Sequence, residues 1–284
     1  MTSSTCYRWL AVPALLLTLT ACDQNGDDPS VDQSDTTQQP TAETAGTQQT
    51  DLSPTFVNRT ITAPDCHGDE CTSVEVHMIR FDSDPQLSSE IERRLVHMGS
   101  PISDTAVDED SLPSTIDAYA DSFFNLSAQA SEGTGQPSRY DAVLEAREIG
   151  HHDGLRILEL QSYVMTGGAH GMPLAAYMVI DEKSRQVLTL DDMLQQGQHP
   201  AFEAALKNAW QDWIENSDQA QGLEPQDWPF SPSDNAAPME DGMAVTYGVY
   251  TLGPYAIGMP TLTIPYSDLE NVLKPRFLPE SPTS

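Results

Sequence analysis

The sequence predicts an α+β fold in which an antiparallel sheet packs with helices. Two patterns carry the prediction. In some stretches apolar residues alternate with polar ones on either side of turn sequences, as half-buried strands require, and in others they recur every three or four positions, as on one face of a helix. A third observation sets the limits of the fold. Residues 23–55 are Asp, Gln, Thr, Ser, Pro and Gly with almost nothing apolar, whereas the composition turns globular from Phe56 onward. About 225 residues then suffice for one large domain or two closely packed subdomains.

Taken in order, Phe56 to Ala63 and Thr72 to Phe81 are expected as strands flanking the turn Asp65-Cys66-His67-Gly68-Asp69-Glu70-Cys71. Ser83-Asp84-Pro85 is a helix start, with a cap and a proline at the first position, and Leu87, Ile91, Leu95 and Met98 then share a face. A second helix carries Ile116, Tyr119, Phe123, Leu126 and Ala130. Tyr140, Ala142, Leu144 and Ala146 alternate into a long hairpin turned by His151-His152-Asp153-Gly154, with Leu158, Leu160 and Val164 on the return strand. Leu174 to Ile180 is apolar enough for a central strand, and Leu188 to Leu194 is a strand end running into a short helical turn.

A third helix groups Phe202, Leu206, Ala209, Trp210, Trp213 and Ile214; helical spacing makes core the leading expectation for the two tryptophans and a ligand platform the alternative. Residues 217–240 are rich in Pro, Asp, Gln and Ser and are expected as a surface loop. Strands at 243–250 and 261–265 and a helix at 266–273 complete the expectation.

The N-terminus predicts export. Arg8 precedes a run of about a dozen apolar residues interrupted by Pro13, short of the roughly 20 needed to span a bilayer. Leu19-Thr20-Ala21-Cys22 closes it and resembles the bacterial lipobox, which implies cleavage before Cys22 and lipidation of that residue. Acyl chains then anchor the protein without a transmembrane helix, each buried CH₂ contributing about 0.8 kcal/mol. The expected organisation is a signal peptide at 1–21, an acidic disordered tether at 22–55, an α+β subdomain at 56–135, a second domain at 136–276 and a flexible tail at 277–284. The tether would span about 30 Å. The expected location is periplasmic, lipid-anchored to a membrane. Asp23, by resemblance to the enterobacterial sorting rule, favours the inner one.

The chain holds 13 Lys and Arg against 43 Asp and Glu, and Arg8 is the only base before Cys22, so the mature charge is about −31. Such a chain repels nucleic acid and anionic headgroups. The acidity fits either a saline habitat or the steering of a cationic partner. Cys6 leaves with the signal and Cys22 is lipidated, which leaves Cys66 and Cys71 as a pair. In an oxidising compartment they are expected as a disulfide closing a short loop, worth about 2 kcal/mol. The alternative, a metal site with His67, needs a reducing compartment and further ligands.

The segment Tyr163-Val164-Met165-Thr166-Gly167-Gly168-Ala169-His170-Gly171 is the most unusual locally. Its glycines permit positive φ and close backbone approach, and His170 would sit at a strand end. Candidate binding residues are Tyr163, Thr166, Gly167, Gly168, His170, Gly171 and Tyr255. The bland alternative is a tight crossover in which His170 bonds a carbonyl. Glu145, Glu148 and Glu159 lie on paired strands, but spacing alone does not place a glycosidase carboxylate pair. There is no HExxH, GxSxG, P-loop or GxGxxG pattern, so no catalytic residue, metal or cofactor is expected.

The glycine–histidine segment, the strand Tyr177 to Asp181, the segment Leu188 to Leu194 and the stretch Gly253 to Leu269 together resemble the RsiV-type extracytoplasmic domain. That domain occurs in lysozyme-sensing anti-sigma factors and beside some peptidoglycan deacetylases. The resemblance implies an α+β domain preceded by a helix-and-strand subdomain, and a partner that is a muramidase such as lysozyme or an envelope glycan. The chain departs from the anti-sigma members in lacking a sigma-binding segment and a transmembrane helix, and it has Ser184-Arg185 where many relatives carry Thr-Gly. A non-catalytic binding domain is the leading expectation; an envelope carbohydrate hydrolase using His170 and an acid, or a structural lipoprotein with no small-molecule site, are the alternatives.

Overall fold

A computed structural model describes residues 51–64, 66, 67, 71–100, 111–134 and 139–279. The expected leader, the expected lipidation at Cys22 and the expected tether up to residue 50 lie outside them. Strands β1 (Pro54–Thr62) and β2 (Ser73–Phe81) pair antiparallel across a Cys66–Cys71 disulfide with a Cα–Cα distance of 5.7 Å. Helix α1 (Pro85–Gly99) begins as its sequence demands, the Asp84 carboxylate accepting from the Leu87 N–H at 2.9 Å and proline occupying the first turn. Helix α2 (Ile116–Thr134) follows, and then β3 (Asp141–His152), β4 (Leu155–Met165), β5 (Met172–Asp181) and β6 (Gln186–Leu188). These six strands form one sheet in chain order.

Every pairing is antiparallel except β2 with β3, which is parallel. The exception has a topological cause: α1 and α2 intervene, and a crossover of that length returns the chain in its original direction. The sheet therefore runs across residue 135, where a boundary between subdomains was expected.

Alternation in the central strands sends side chains to two cores. Leu158, Leu160, Met178 and Ile180 face a cluster built with α1 and α2, including Phe81, Ile91, Tyr119 and Phe123. Leu155, Ile157 and Val179 face a second cluster. That one is made by α3 (Leu190–Met193), α4 (His199–Asn216) and a three-stranded sheet of β7 (Ala236–Met239), β8 (Gly242–Thr246) and β9 (Thr261–Pro265). Trp210 and Trp213 are buried in it, as their spacing implied.

Four expectations are corrected. The fold begins before residue 56, because Leu52 is buried in the first core and β1 opens at Pro54. It extends past 276, because Phe277 is buried in the second. The 217–240 segment contains β7, whose Pro238 is tolerated because β7 is an edge strand with a free N–H side. The helix expected at 266–273 is a single 3₁₀ turn at Tyr266–Asp268. Leu273 pairs with Leu194, and the Lys274 N–H donates to the Met193 carbonyl, so the chain is needed in extended form there.

Candidate functional site

The link from β4 to β5 is built by the glycine-rich segment. Gly167 and Gly168 have φ of +91° and +88°, a region that glycine enters without a Cβ penalty, and space above both is open. They turn the chain so that His170 faces residues 250–255, which enter from the loop between β8 and β9. The His170 ring stacks on Tyr255, with centroids 3.8 Å apart and planes at 22°. Its Nδ1 lies 3.1 Å from the Gly171 carbonyl and its Nε2 lies 3.2 Å from the Tyr250 hydroxyl. A carbonyl only accepts, so Nδ1 carries the proton, and in the neutral ring Tyr250 donates to Nε2.

Gly171 ties the cluster together. Its carbonyl also accepts from the Tyr255 hydroxyl at 2.9 Å, and its N–H donates to the Tyr163 hydroxyl at 3.1 Å. A Cβ at this position would lie 2.4 Å from Cζ of Tyr163, so the ring can close over the backbone only because the residue is glycine. The result is a surface cluster of one histidine and three tyrosines. Tyr163 and Tyr250 are 39% and 47% exposed, large rings that a folded chain ordinarily covers.

Of the residues expected here, Tyr163, His170, Gly171 and Tyr255 come together, Gly167 and Gly168 supply the turn, and Thr166 is exposed beside it. Tyr250 was missed. Residues 243–250 read as strand, but β8 ends at Thr246 and Tyr250 adopts a φ of +64°. The signal that could have found it is the pair of glycines, Gly248 and Gly253, which bracket it as a loop sequence.

The other polar candidates are engaged elsewhere. Glu145 and Glu159 both pair with Arg147, and Glu148 pairs with Arg156. His151 and His152 end β3, and the turn itself is Asp153-Gly154, with φ of +53° and +72°. His151 bonds Glu182 at 3.0 Å, and His152 donates to the Pro238 carbonyl at 3.2 Å. Among the described residues, no three His, Cys, Asp or Glu side chains converge to hold a metal ion. His170 is bonded to a carbonyl and a tyrosine, an arrangement suited to holding a ring for stacking and hydrogen bonding at the surface.

No curated protein matches the chain in sequence. The profile of the family described as "Protein of unknown function (DUF3298)" matches residues 191–267. Among solved structures, a member of DUF3298 from Bacteroides fragilis superposes with a TM-score of 0.56 at 17% identity, over 79% of this chain and 93% of that one, and shares the fold. A DUF3298 family protein from Pseudomonas aeruginosa PAO1 superposes with a TM-score of 0.70 at 30% identity, over 82% of this chain and 99% of that one. With that identity over essentially the whole of the Pseudomonas protein, the chain belongs to the DUF3298 family.

Proposed function

We propose that the chain is a lipid-anchored envelope protein whose domain is a non-catalytic docking module for a cationic muramidase-like protein. The observation that carries the reading is His170 clamped between Tyr250 and Tyr255 at an exposed turn. Tyrosines anchor protein interfaces well, because each presents a large rigid surface with a polar tip at little cost in rotamer entropy. The charge supports the same reading, since a chain of formal charge −30 attracts a basic partner over distance. Among the described residues the partners of the His170 ring are a carbonyl and a tyrosine hydroxyl, which supports docking over general-base chemistry at this ring.

The test is calorimetric titration of the full chain, in non-ionic detergent, with a cationic lysozyme. Attraction over distance weakens as the Debye length falls from about 10 Å at 0.1 M to about 3 Å at 1 M salt, so binding should be detectable at low salt and fade as salt rises. Absence of binding at low salt would overturn the reading. Binding of chitooligosaccharide in place of lysozyme would transfer the site to a glycan.

A further inference from the structure

The edges of the two sheets are not protected alike. An edge strand offers a row of unpaired N–H and C=O groups, and folded proteins keep such edges short, charged or bulged. The edge strands β6, β7 and β9 are three, four and five residues long. β1 has nine, and among the described residues its strand partner is β2 alone, in a register without a bulge. None of the nine is buried, and Phe56, at 69% exposed, is the most exposed large apolar residue described.

The chemistry of this edge departs from that of the chain. Residues 52–64 contain none of its 43 Asp and Glu, and their one base, Arg59, pairs with Asp117 at 2.8 Å. Depletion of charge around an exposed aromatic ring is the composition of an interface core. Thr, Val, Ile and Phe, which favour strand pairing, fill most of β1.

Which backbone groups face outward follows from the β1–β2 ladder. The Ala63 N–H donates to the Thr72 carbonyl at 3.0 Å, one step beyond the ladder and in its register, so the odd-numbered residues of β1 bond β2. Pro54, Phe56, Asn58, Thr60 and Thr62 therefore turn their carbonyls away from the sheet, and all but the proline turn an N–H with it.

From this geometry we propose that β1 pairs antiparallel with β1 of a second copy of this chain, about a two-fold axis at Asn58, joining two six-stranded sheets into one. That register uses all nine residues. Asn58 exchanges two bonds with its own counterpart, Phe56 and Thr60 exchange two on each side of the axis, and Thr62 donates to the Pro54 carbonyl at each end. The proline, which has no N–H, thus falls where it interrupts nothing. Eight bonds result, within the range of a typical interface. A cationic partner would find no acid on this strand, so the edge is separate from the docking module, and neither proposal depends on the other.

The experiment is sedimentation equilibrium of the full chain in density-matched non-ionic detergent, with hydrogen exchange of the β1 amides. Both copies are strongly acidic, so the dimer should increase as salt rises from about 0.1 to about 1 M, the reverse of lysozyme docking. At high salt and on the order of 100 µM protein it should be detected, and exchange at Phe56, Asn58, Thr60 and Thr62 should slow as protein concentration rises. Asn58→Asp sets two carboxylates opposite each other at the axis, yet still accepts from His77, whose Nδ1 lies 2.9 Å from Asn58 Oδ1; it should weaken the dimer about fivefold. Thr60→Pro removes an outward donor and no bond to β2, so it should abolish the dimer while circular dichroism shows the monomer folded. Lys207→Gln on α4 should leave the dimer unchanged. A monomer throughout this range, or equal dimer in Thr60→Pro, would overturn the proposal. So would β1 amides protected to the same degree at every concentration, which would place another part of the same chain on the edge.

Discussion

The two ends of strands β4 and β5 are built from opposite chemistry. One end is the glycine-rich turn with its histidine and tyrosines, neutral side chains held by ring contacts and by bonds to one glycine's backbone. The other carries Arg156, Glu148, Glu182 and His151, with Asp181 and Arg276 beside them. The 11 residues of β4 at about 3.3 Å each set these ends roughly 35 Å apart. The difference separates what holds the fold from what is displayed on it. Ion pairs that are half-buried stabilise only while their charges persist, whereas exposed rings on a constrained turn can be removed at little cost to folding.

The largest effect should come from the charged end. Arg156 is 4% exposed and bonds both Glu148 and Glu182, with its guanidinium 5.4 Å from the centroid of Phe81. Arg156→Met would take from Glu148 and Glu182 the guanidinium that bonds both. Loss of one partner from a buried pair costs 3–5 kcal/mol, and because both carboxylates keep some exposure the lower end, about 3 kcal/mol, is expected in urea unfolding. A loss under about 1 kcal/mol would erase the contrast between the ends.

Acid should reveal the same end. Burial pushes the Glu182 carboxyl up, but bonds from His151 and Arg156 outweigh it and hold the group below the usual range. Burial also pushes Asp181 up, and the Ser184 N–H and Arg276 bring it below its ordinary value. Groups depressed in the folded state contribute stability that is present at neutral pH and is lost as pH falls from the ordinary carboxylate range through the folded values. Acid unfolding of Arg156→Met should therefore be shallower than that of the unaltered chain. Equal slopes would show that this cluster is not what acid disrupts.

At the aromatic end, Tyr250→Ala should change stability by no more than about 0.5 kcal/mol, because nearly half the ring is already exposed. It should weaken lysozyme docking by about 2 kcal/mol, some thirtyfold, if the ring is an interface anchor. Unchanged affinity with reduced stability would make the cluster a structural clasp.

How these two ends appeared in the sequence differs for a physical reason. Alternation and helical spacing are local, so the strands around Leu158 and Leu160 and the helix carrying Leu87 and Ile91 could be read directly. The glycine–histidine segment was legible as an unusual turn, because glycines in series mark required backbone freedom. What His170 meets was not legible, since Tyr250 lies 80 residues away and reaches it through a loop. Strand β7 escaped because Ala236-Ala237-Pro238-Met239 lacks the β-branched residues that mark a strand, and pairing with β8 decides its state.

The smallest effect separates two glycines only three residues apart. Gly168 sits at φ +88° with open space above it, so Gly168→Ala meets no neighbour but places a side chain in a backbone region it resists, at a cost of about 1 kcal/mol. Gly171 lies outside that region, but its added methyl would strike the Tyr163 ring at 2.4 Å. That ring is 39% exposed and can swing outward, so Gly171→Ala should dislodge Tyr163 from the cluster while straining the backbone little. Thermal unfolding should register Gly168→Ala more strongly, and lysozyme titration should register Gly171→Ala more strongly. The reverse order would mean that the turn itself, rather than the rings it positions, makes the contact, and the docking surface would then move from Tyr163 to the open backbone at Gly167 and Gly168.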